Sequence, residues 1–176
     1  KKLADSHSFD VSHYDENVAL DTSALPLLGK TLITIRSLSD TLGNIRFHFR
    51  GPTVTEVLVS SHPVSWNSSG DHFYIRLDTI YKSGAEFSVQ VQYNGSPYVS
   101  MSEPMGGFHW GDPIFTIGEA GKDSTNISLT RYWMPCYDLP DDKATIDLHI
   151  TVPKERFFAS NGILMHIVTF GNEATF

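Results

Sequence analysis

The sequence predicts an all-β protein, built as a twisted antiparallel β-sandwich of two packed sheets. Apolar and polar residues alternate with a period of two over much of the chain, as in strands with one buried face. Turn sequences rich in Gly, Asn and Pro separate these runs at roughly the 8–12-residue spacing typical of sandwiches. No window shows the sustained i, i+3, i+4, i+7 apolar pattern of an amphipathic helix.

The clearest strands are four runs in which every second residue is apolar. They cover residues 45–49, 73–77, 87–93 and 146–152. Weaker strand candidates are Phe9–Leu20, Leu32–Leu38, Val54–Val59, Ile114–Ile117 and Ile163–Phe170. His48 and His149 occupy polar positions in their runs, so we expect solvent-facing histidines there rather than metal ligands.

Two segments break the alternation and predict two long ordered loops. Residues 95–113 hold three prolines, a Gly106-Gly107 pair and Trp110. The second loop covers residues 118–143, and its two prolines remove backbone donors, so this part is expected to be neither helix nor strand. Loops of this length are usually functional or disordered, and the aromatic content of these two favours order.

Size and composition predict one globular domain, residues 1–176, with enough apolar material for a core. Twenty acidic and thirteen basic residues give a formal net charge of −7, and no basic stripe is present. Phosphate neutralisation needs clustered Lys and Arg, so this composition argues against nucleic acid as a partner. Cys136 is the single cysteine, so we expect no intrachain disulfide and a small buried side chain at this position.

The sequence lacks a complete catalytic or metal-binding motif. The eight histidines form no His-Glu-x-x-His or His-x-His pattern, and no Gly-x-Ser-x-Gly occurs. We therefore expect no catalytic residue, metal ligand or cofactor in this chain. No apolar run approaches the ~20 residues that span a bilayer, so no transmembrane segment is expected.

Both ends of the sequence suggest a piece of a longer protein. Lys1 is not an initiator Met, and no apolar signal segment follows it, which favours an exported chain after removal of a signal peptide. Residues 174–176 begin a further strand, which either continues downstream, since an unfinished strand leaves unpaired backbone groups, or ends here as a short edge strand.

One segment carries a specific resemblance to a known family. The run from Arg131 to Thr145 reads Arg-Tyr-Trp-Met-Pro-Cys-Tyr-Asp-Leu-Pro-Asp-Asp-Lys-Ala-Thr. It resembles a run near the end of the N-terminal β domain of zinc-dependent aminopeptidases of the aminopeptidase N type. Further matches follow in chain order at Phe9–Asp15, Gly29–Ile35, Val89–Gly95, Gly106–Phe108, Ile114–Ala120 and Ala159–Gly162.

The resemblance implies a fold, a partner and a binding role. In this family, the N-terminal domain is a saddle-like β-sandwich that packs on a downstream thermolysin-like domain, and that second domain binds the zinc. A Glu in the loop that resembles residues 114–120 binds the free α-amino group of peptide substrates, and that position is Glu119 here. Ile117 stands where the family often has a Gln that lines the first side-chain pocket, so Ile117 is expected to line it.

Two other functions are compatible with the residues. The chain could be a non-catalytic β-sandwich that binds carbohydrate or protein through its aromatic loops at 105–115 and 131–137. Glycan binding that is lost on Trp110→Ala or Trp133→Ala would favour this function. The chain could also be a complete structural or adhesion module, which a gene ending near residue 176 would favour.

Overall fold

The computed structural model describes residues 7–20, 27–97, 107–109, 115–117, 119–120 and 127–176, with the backbone alone between residues 107 and 128. The strands are, in chain order, β1 (Phe9–Leu20), β2 (Leu27–Ser37), β3 (Leu42–His48), β4 (Thr53–Val59), β5 (His62–Pro63), β6 (Trp66–Ser69), β7 (His72–Tyr81), β8 (Glu86–Gly95), β9 (Gly107–His109), β10 (Phe115–Ile117), β11 (Glu119–Ala120), β12 (Ile127–Ser128), β13 (Thr145–Pro153), β14 (Val168–Phe170) and β15 (Glu173–Thr175). A 3-10 turn covers Thr130–Tyr132. The described residues contain no α-helix, and so none that is long and apolar enough to cross a membrane.

Eight strands form one large sheet in the order β14-β15-β13-β1-β2-β8-β4-β5. All neighbouring pairs are antiparallel except β1 and β13, which run parallel with Tyr14 opposite Ile146. The prediction of antiparallel pairing is wrong for this one pair. Alternation reveals which face of a strand is buried, but it does not reveal the direction of a partner far away in the sequence.

A smaller sheet in the order β3-β7-β6 packs against the large one. Phe47, Phe73 and Ile75 of the small sheet are buried in one core with Ile33 and Val89 of the large sheet. This arrangement confirms the predicted two-sheet β-sandwich. Burial of each such side chain contributes roughly 1.5–3 kcal/mol, so the contact between the sheets is a main source of stability.

An irregularity in β1 decides which of its residues face the core. The pairing of β1 with β2 shifts register between Val11 and His13. The buried positions therefore change from Phe9 and Val11 to Tyr14 and Glu16, with Val18 next. As a result, a carboxyl group lies in the core, and Glu16 is 0% exposed.

Two strand predictions near the C-terminus need correction. Of the candidate Ile163–Phe170, only Val168–Phe170 is a strand, paired with β15, and the apolar residues before it are exposed. The run in β13 is a strand as predicted, but Ile146 is 45% exposed whereas Ile150 is 5% exposed. Both apolar runs are longer than the part of the sandwich that covers them.

The two predicted loops are described only in part. Their described pieces form two short antiparallel pairs, β9 with β10 and β11 with β12. Trp110 and residues 121–126 lie outside the described residues. From residue 129 onward the second segment packs on the sandwich, since Leu129, Met134 and Cys136 are buried. The predicted order is thus confirmed for this last part.

Candidate functional site

The two residues predicted to contact substrate lie in neighbouring short strands. Ile117 ends β10, where its Cα partner is Gly107 of β9. Glu119 begins β11, where its Cα partner is Ser128 of β12. The structure describes only the backbone at both positions, so their roles in binding stay predictions.

The strand opposite Glu119 continues directly into a fixed part of the fold. After Ser128, Leu129 is fully buried, and the 3-10 turn at Thr130–Tyr132 follows. This turn contacts β9, which pairs with the strand of Ile117. Both short strand pairs are therefore attached to the same turn, and the stability of that turn bears on where Glu119 lies.

An Arg–Asp pair holds the segment that follows the turn. The Arg131 Nε atom donates a hydrogen bond to Asp138 Oδ2 at 2.8 Å, and the Arg131 backbone amide donates to the same oxygen at 3.2 Å. Arg131 Nη2 also donates to the Asp138 carbonyl at 3.2 Å. The two side chains are 14% and 4% exposed, so this charge pair is largely shielded from water. The pair closes residues 131–138 into a loop, which is called the Pro-Cys loop below.

Backbone hydrogen bonds join this loop to β3 of the small sheet. The His48 amide donates to the Cys136 carbonyl at 2.7 Å, and the Cys136 amide donates to the His48 carbonyl at 3.1 Å. The Arg50 amide donates to the Arg131 carbonyl at 2.8 Å. The loop thus continues the small sheet at its edge, although it is not itself a regular strand.

His48 corrects a prediction made from the alternation. It was expected to face solvent, but it is 3% exposed because the Pro-Cys loop covers it. Its Nδ1 atom accepts a hydrogen bond from the Asp138 amide at 3.1 Å. Burial, reinforced by the charge of nearby Arg131, lowers the pKa of His48 to about 4, so the ring is neutral at pH 7.

Cys136 is a buried thiol, as predicted. Burial raises its pKa well above the ordinary value, which keeps the thiol protonated and poorly nucleophilic. The neighbouring Tyr137 amide donates to the Tyr14 hydroxyl at 3.0 Å, which ties the loop to the large sheet as well. The Pro-Cys loop is therefore hydrogen-bonded to both sheets of the sandwich.

The described residues offer no donor set for a metal ion. Among them, no group of three or more His, Cys, Asp or Glu side chains converges. His13 and Asp147 approach to 3.7 Å, and His149 and Asp15 to 3.6 Å, on the exposed face of the large sheet. These are two separate His–Asp contacts, which do not form the three-ligand set that a catalytic zinc needs.

The Arg131–Asp138 pair was not predicted from the sequence as a unit. Both residues stand in the quoted family segment, at either end of a stretch that is otherwise mostly apolar. Opposite charges that flank a short run with a Pro were the available signal, because such a run closes into a loop when its ends pair. The long-range contact with His48 had no comparable signal in the sequence.

Comparisons with known proteins agree with this fold. The model of the family described as the Peptidase M1 N-terminal domain matches residues 10–175. Leukotriene A-4 hydrolase of Xenopus laevis is 23% identical over 162 residues, which are 87% of this chain and 26% of that protein. An M1 zinc metallopeptidase of Deinococcus radiodurans superposes with a TM-score of 0.76 at 23% identity, over 97% of this chain and 38% of that chain.

A variant of the Deinococcus radiodurans enzyme bound to a Tyr-Ser-Ala substrate gives a TM-score of 0.75 at 23% identity, over 96% of this chain and 38% of that chain. The chain thus spans about a quarter of the curated relative and about two fifths of the solved one. The family match runs from β1 to β15 and so includes both sheets and the Pro-Cys loop. The chain therefore belongs to the family of Peptidase M1 N-terminal domains.

Proposed function

We propose that this chain is the N-terminal, non-catalytic domain of a zinc-dependent aminopeptidase. In this role it packs on a downstream metallopeptidase domain and supplies Glu119 to bind the α-amino group of the substrate. The match to the Peptidase M1 N-terminal domain over residues 10–175 is the observation that carries the proposal. Because the chain covers 26% of leukotriene A-4 hydrolase, most of such a protein lies outside it.

The chemistry of a carboxylate suits the proposed task of Glu119. A carboxylate that pairs with an ammonium group makes a short, charge-assisted hydrogen bond. Such a contact selects peptides with a free N-terminus and fixes how far the peptide enters the site. Attachment of the Glu119 strand pair to the Arg131–Asp138 anchor supports this task, since a positioning group needs a rigid base. Ile117 would line the adjoining side-chain pocket with an apolar surface.

Packing on another domain is supported by an exposed apolar strip near the C-terminal end of the described fold. Ile163, Met165 and Phe170 are 87%, 82% and 86% exposed, and Phe157 is 76% exposed. Several large apolar side chains that are exposed within one short stretch of the chain usually mark a site that another protein surface covers. In the proposed protein, the metallopeptidase domain or the segment leading to it covers this strip.

The zinc of the proposed enzyme is assigned to the downstream domain. The described residues of this chain contain no group of three convergent donors, so no zinc ligand is placed among them. Zinc supplies the activated water in hydrolysis of this kind. This domain would contribute orientation of the substrate, and the isolated chain is not expected to hydrolyse peptides.

The test is the substitution Glu119→Gln in the full-length protein. Loss of one charge-assisted contact, roughly 1.5–3 kcal/mol, should lower kcat/KM for amino-acid amide substrates about 10- to 150-fold. Inhibition of the variant by a competing peptide should also no longer depend on a free α-amino group. The peptide and its N-acetylated form should therefore inhibit the variant about equally. Glu86→Gln, at an exposed carboxylate that begins β8, is the matched control. Unchanged kcat/KM in Glu119→Gln would contradict the proposal.

A further inference from the structure

Three hydrogen bonds join His48 to the Pro-Cys loop, and one of them depends on its side chain. The His48 amide donates to the Cys136 carbonyl at 2.7 Å, and the His48 carbonyl accepts from the Cys136 amide at 3.1 Å. Both bonds use backbone atoms that nearly every residue type has. The third bond runs from the Asp138 amide to His48 Nδ1 at 3.1 Å, and only a side chain with an acceptor atom can receive it.

The surroundings of His48 favour the neutral ring, which is the form that accepts this bond. A protonated imidazole carries a hydrogen on both nitrogens, so it has no acceptor for the Asp138 amide. Burial and the nearby charges of Arg131 and Arg46 disfavour a protonated ring, and so does the ring of His72, whose centroid is 5.3 Å away. The Asp138 carboxylate acts in the opposite direction but is outweighed, so the pKa of His48 lies below its ordinary value.

Asp138 uses its amide and its carboxylate for two different partners. The amide donates to His48, whereas Oδ2 accepts from the Arg131 amide at 3.2 Å and from Arg131 Nε at 2.8 Å. His48 therefore fixes the backbone from which the Asp138 carboxylate reaches Arg131. Asp138 is buried, so loss of the acceptor at residue 48 would remove the partner of a buried amide, which is costly.

Arg131 lies in the 3-10 turn that follows the strand opposite Glu119. Leu129, which is fully buried, is the one residue between β12 and this turn. Ser128 of β12 is the Cα partner of Glu119. A continuous series of hydrogen bonds and short connections thus leads from His48 Nδ1 to the backbone of Glu119.

We infer that His48 is a positioning residue for Glu119, because its side-chain acceptor holds the Asp138 end of the Pro-Cys loop and thereby sets where the amine-binding carboxylate lies. The inference rests on the proposed function, since it gives His48 a part in the same recognition of the α-amino group. His48 acts through the loop and does not itself touch the substrate. Such indirect effects are large in enzymes, where a misplacement of about 1 Å can cost about 100-fold in rate.

Two substitutions of His48 distinguish an acceptor from a residue that only fills space. In His48→Asn, Oδ1 takes the place of Nδ1 and accepts from the Asp138 amide, although the side chain is smaller. In His48→Leu, the side chain fills the space but offers no acceptor. A residue that only packs the core would tolerate Leu better than Asn, and the inference predicts the reverse order. His62→Leu is the matched control, because the His62 side chain is 73% exposed.

The first readout is the amine selectivity of the full-length protein. It is the ratio of the inhibition constants of an N-acetylated peptide and of the same peptide with a free α-amino group. We expect His48→Leu to lower this ratio about tenfold, and His48→Asn and His62→Leu to leave it within about twofold of the wild type.

The second readout is hydrogen–deuterium exchange of the same full-length variants. The amides of residues 127–138 should exchange about tenfold faster in His48→Leu than in the wild type, and at wild-type rates in His48→Asn. The amides of β2 and β8 should keep their wild-type rates in every variant, because the effect is local to the loop.

Four outcomes would overturn the inference. Wild-type selectivity in His48→Leu would show that Glu119 does not depend on the acceptor, whatever the exchange of the loop. Unchanged exchange of residues 127–138 would show that His48 does not hold the loop. Faster exchange of β2 and β8 as well would reveal a general loss of stability, and better selectivity with Leu than with Asn would assign His48 to packing. A ratio that Glu119→Gln leaves unchanged would contradict the proposed function instead, so the two failures are distinguishable.

Discussion

Glu16 is a carboxyl group in the middle of the core, and its surroundings are built to hold it. Thr31 Oγ1 donates a hydrogen bond to one carboxyl oxygen at 2.5 Å, and the Tyr93 hydroxyl donates to the other at 2.5 Å. Gly29 makes room for the Tyr93 ring, because a Cβ atom at that position would overlap the ring. Burial outweighs the two hydrogen bonds and raises the pKa of Glu16 to about 7.

This pKa predicts that Glu16 makes stability depend on pH. The pKa rises from 4.5 in the unfolded chain to about 7 in the folded one, so the folded state binds the proton more tightly. The contribution of Glu16 is therefore complete below pH 4.5 and is lost as pH rises to 7, by about 3 kcal/mol. Urea unfolding from pH 4.5 to 8 should show that the stability of Glu16→Gln lacks this decline.

His48 must be separated from Glu16 in that experiment. Burial lowers the pKa of His48 to about 4, so the unfolded chain binds the proton more tightly. Its effect has the opposite sign, with stability lost as pH falls below 6.5. The relevant quantity is thus the difference between the wild type and Glu16→Gln at each pH. A difference that does not change with pH would show that Glu16 has an ordinary pKa.

The burial of Glu16 could not be read from the sequence. In an uninterrupted strand, period two would place Glu16 on the face opposite Phe9 and Val11. The register shift near Val11 moves the following residues by one position, and a shift of one residue exchanges the two faces. Such irregularities depend on the partner strand, so the alternation in β1 alone did not reveal this one.

Among the structural elements, the Pro-Cys loop fixes the position of the strand pair that contains Glu119. The Arg131–Asp138 pair closes it, and the bridge between His48 and Cys136 fixes it to the small sheet. The strand opposite Glu119 enters this loop after one buried residue, Leu129. Because this loop is tied to the packed sandwich, it holds in place β12, the strand that pairs with Glu119.

Substitution of Asp138 tests this role of the loop. Asp138→Asn leaves the Arg131 guanidinium largely buried beside a neutral group, and removal of one charge from such a pair costs about 3 kcal/mol. Asp147→Asn is the control, because the contact between Asp147 and His13 is 71% and 31% exposed and involves neither Arg131 nor Asp138, so its loss costs less than about 1 kcal/mol. Guanidinium unfolding of the two variants should show this difference. Equal losses would mean that the Arg131–Asp138 pair is not the anchor.

The sequence predicted the local features of this loop, but not its contact with a residue far away in the sequence. The prolines predicted a connection that is neither helix nor strand. From residue 129 to 143 the structure departs from this by a three-residue 3-10 turn and by the bridge between Cys136 and His48, and the short strands β11 and β12 precede it. The burial of Cys136 was also predicted. The burial of His48 was not, because it depends on a segment that lies more than eighty residues further along the chain.

For the molecule as a whole, the sandwich follows from local patterns, whereas the order of its strands does not. Each alternating run predicts one buried face, and two sheets are the simplest way to cover those faces. The parallel pairing of β1 with β13 joins the two ends of the described fold, and neither strand alone encodes it. Likewise, the apolar run that contains Ile163 and Phe170 predicted a buried face, but these side chains are 87% and 86% exposed, because burial depends on packing partners that a run of residues does not reveal.

We propose that this domain presents Glu119 to the substrate of a zinc aminopeptidase. The most direct measurement is a crystal structure of the full-length protein with a peptide bound at the zinc. We predict that a Glu119 carboxylate oxygen lies about 2.7–2.9 Å from the α-amino nitrogen of the peptide. A Glu119 side chain that points into the sandwich, or an α-amino group held only by other residues, would contradict the account.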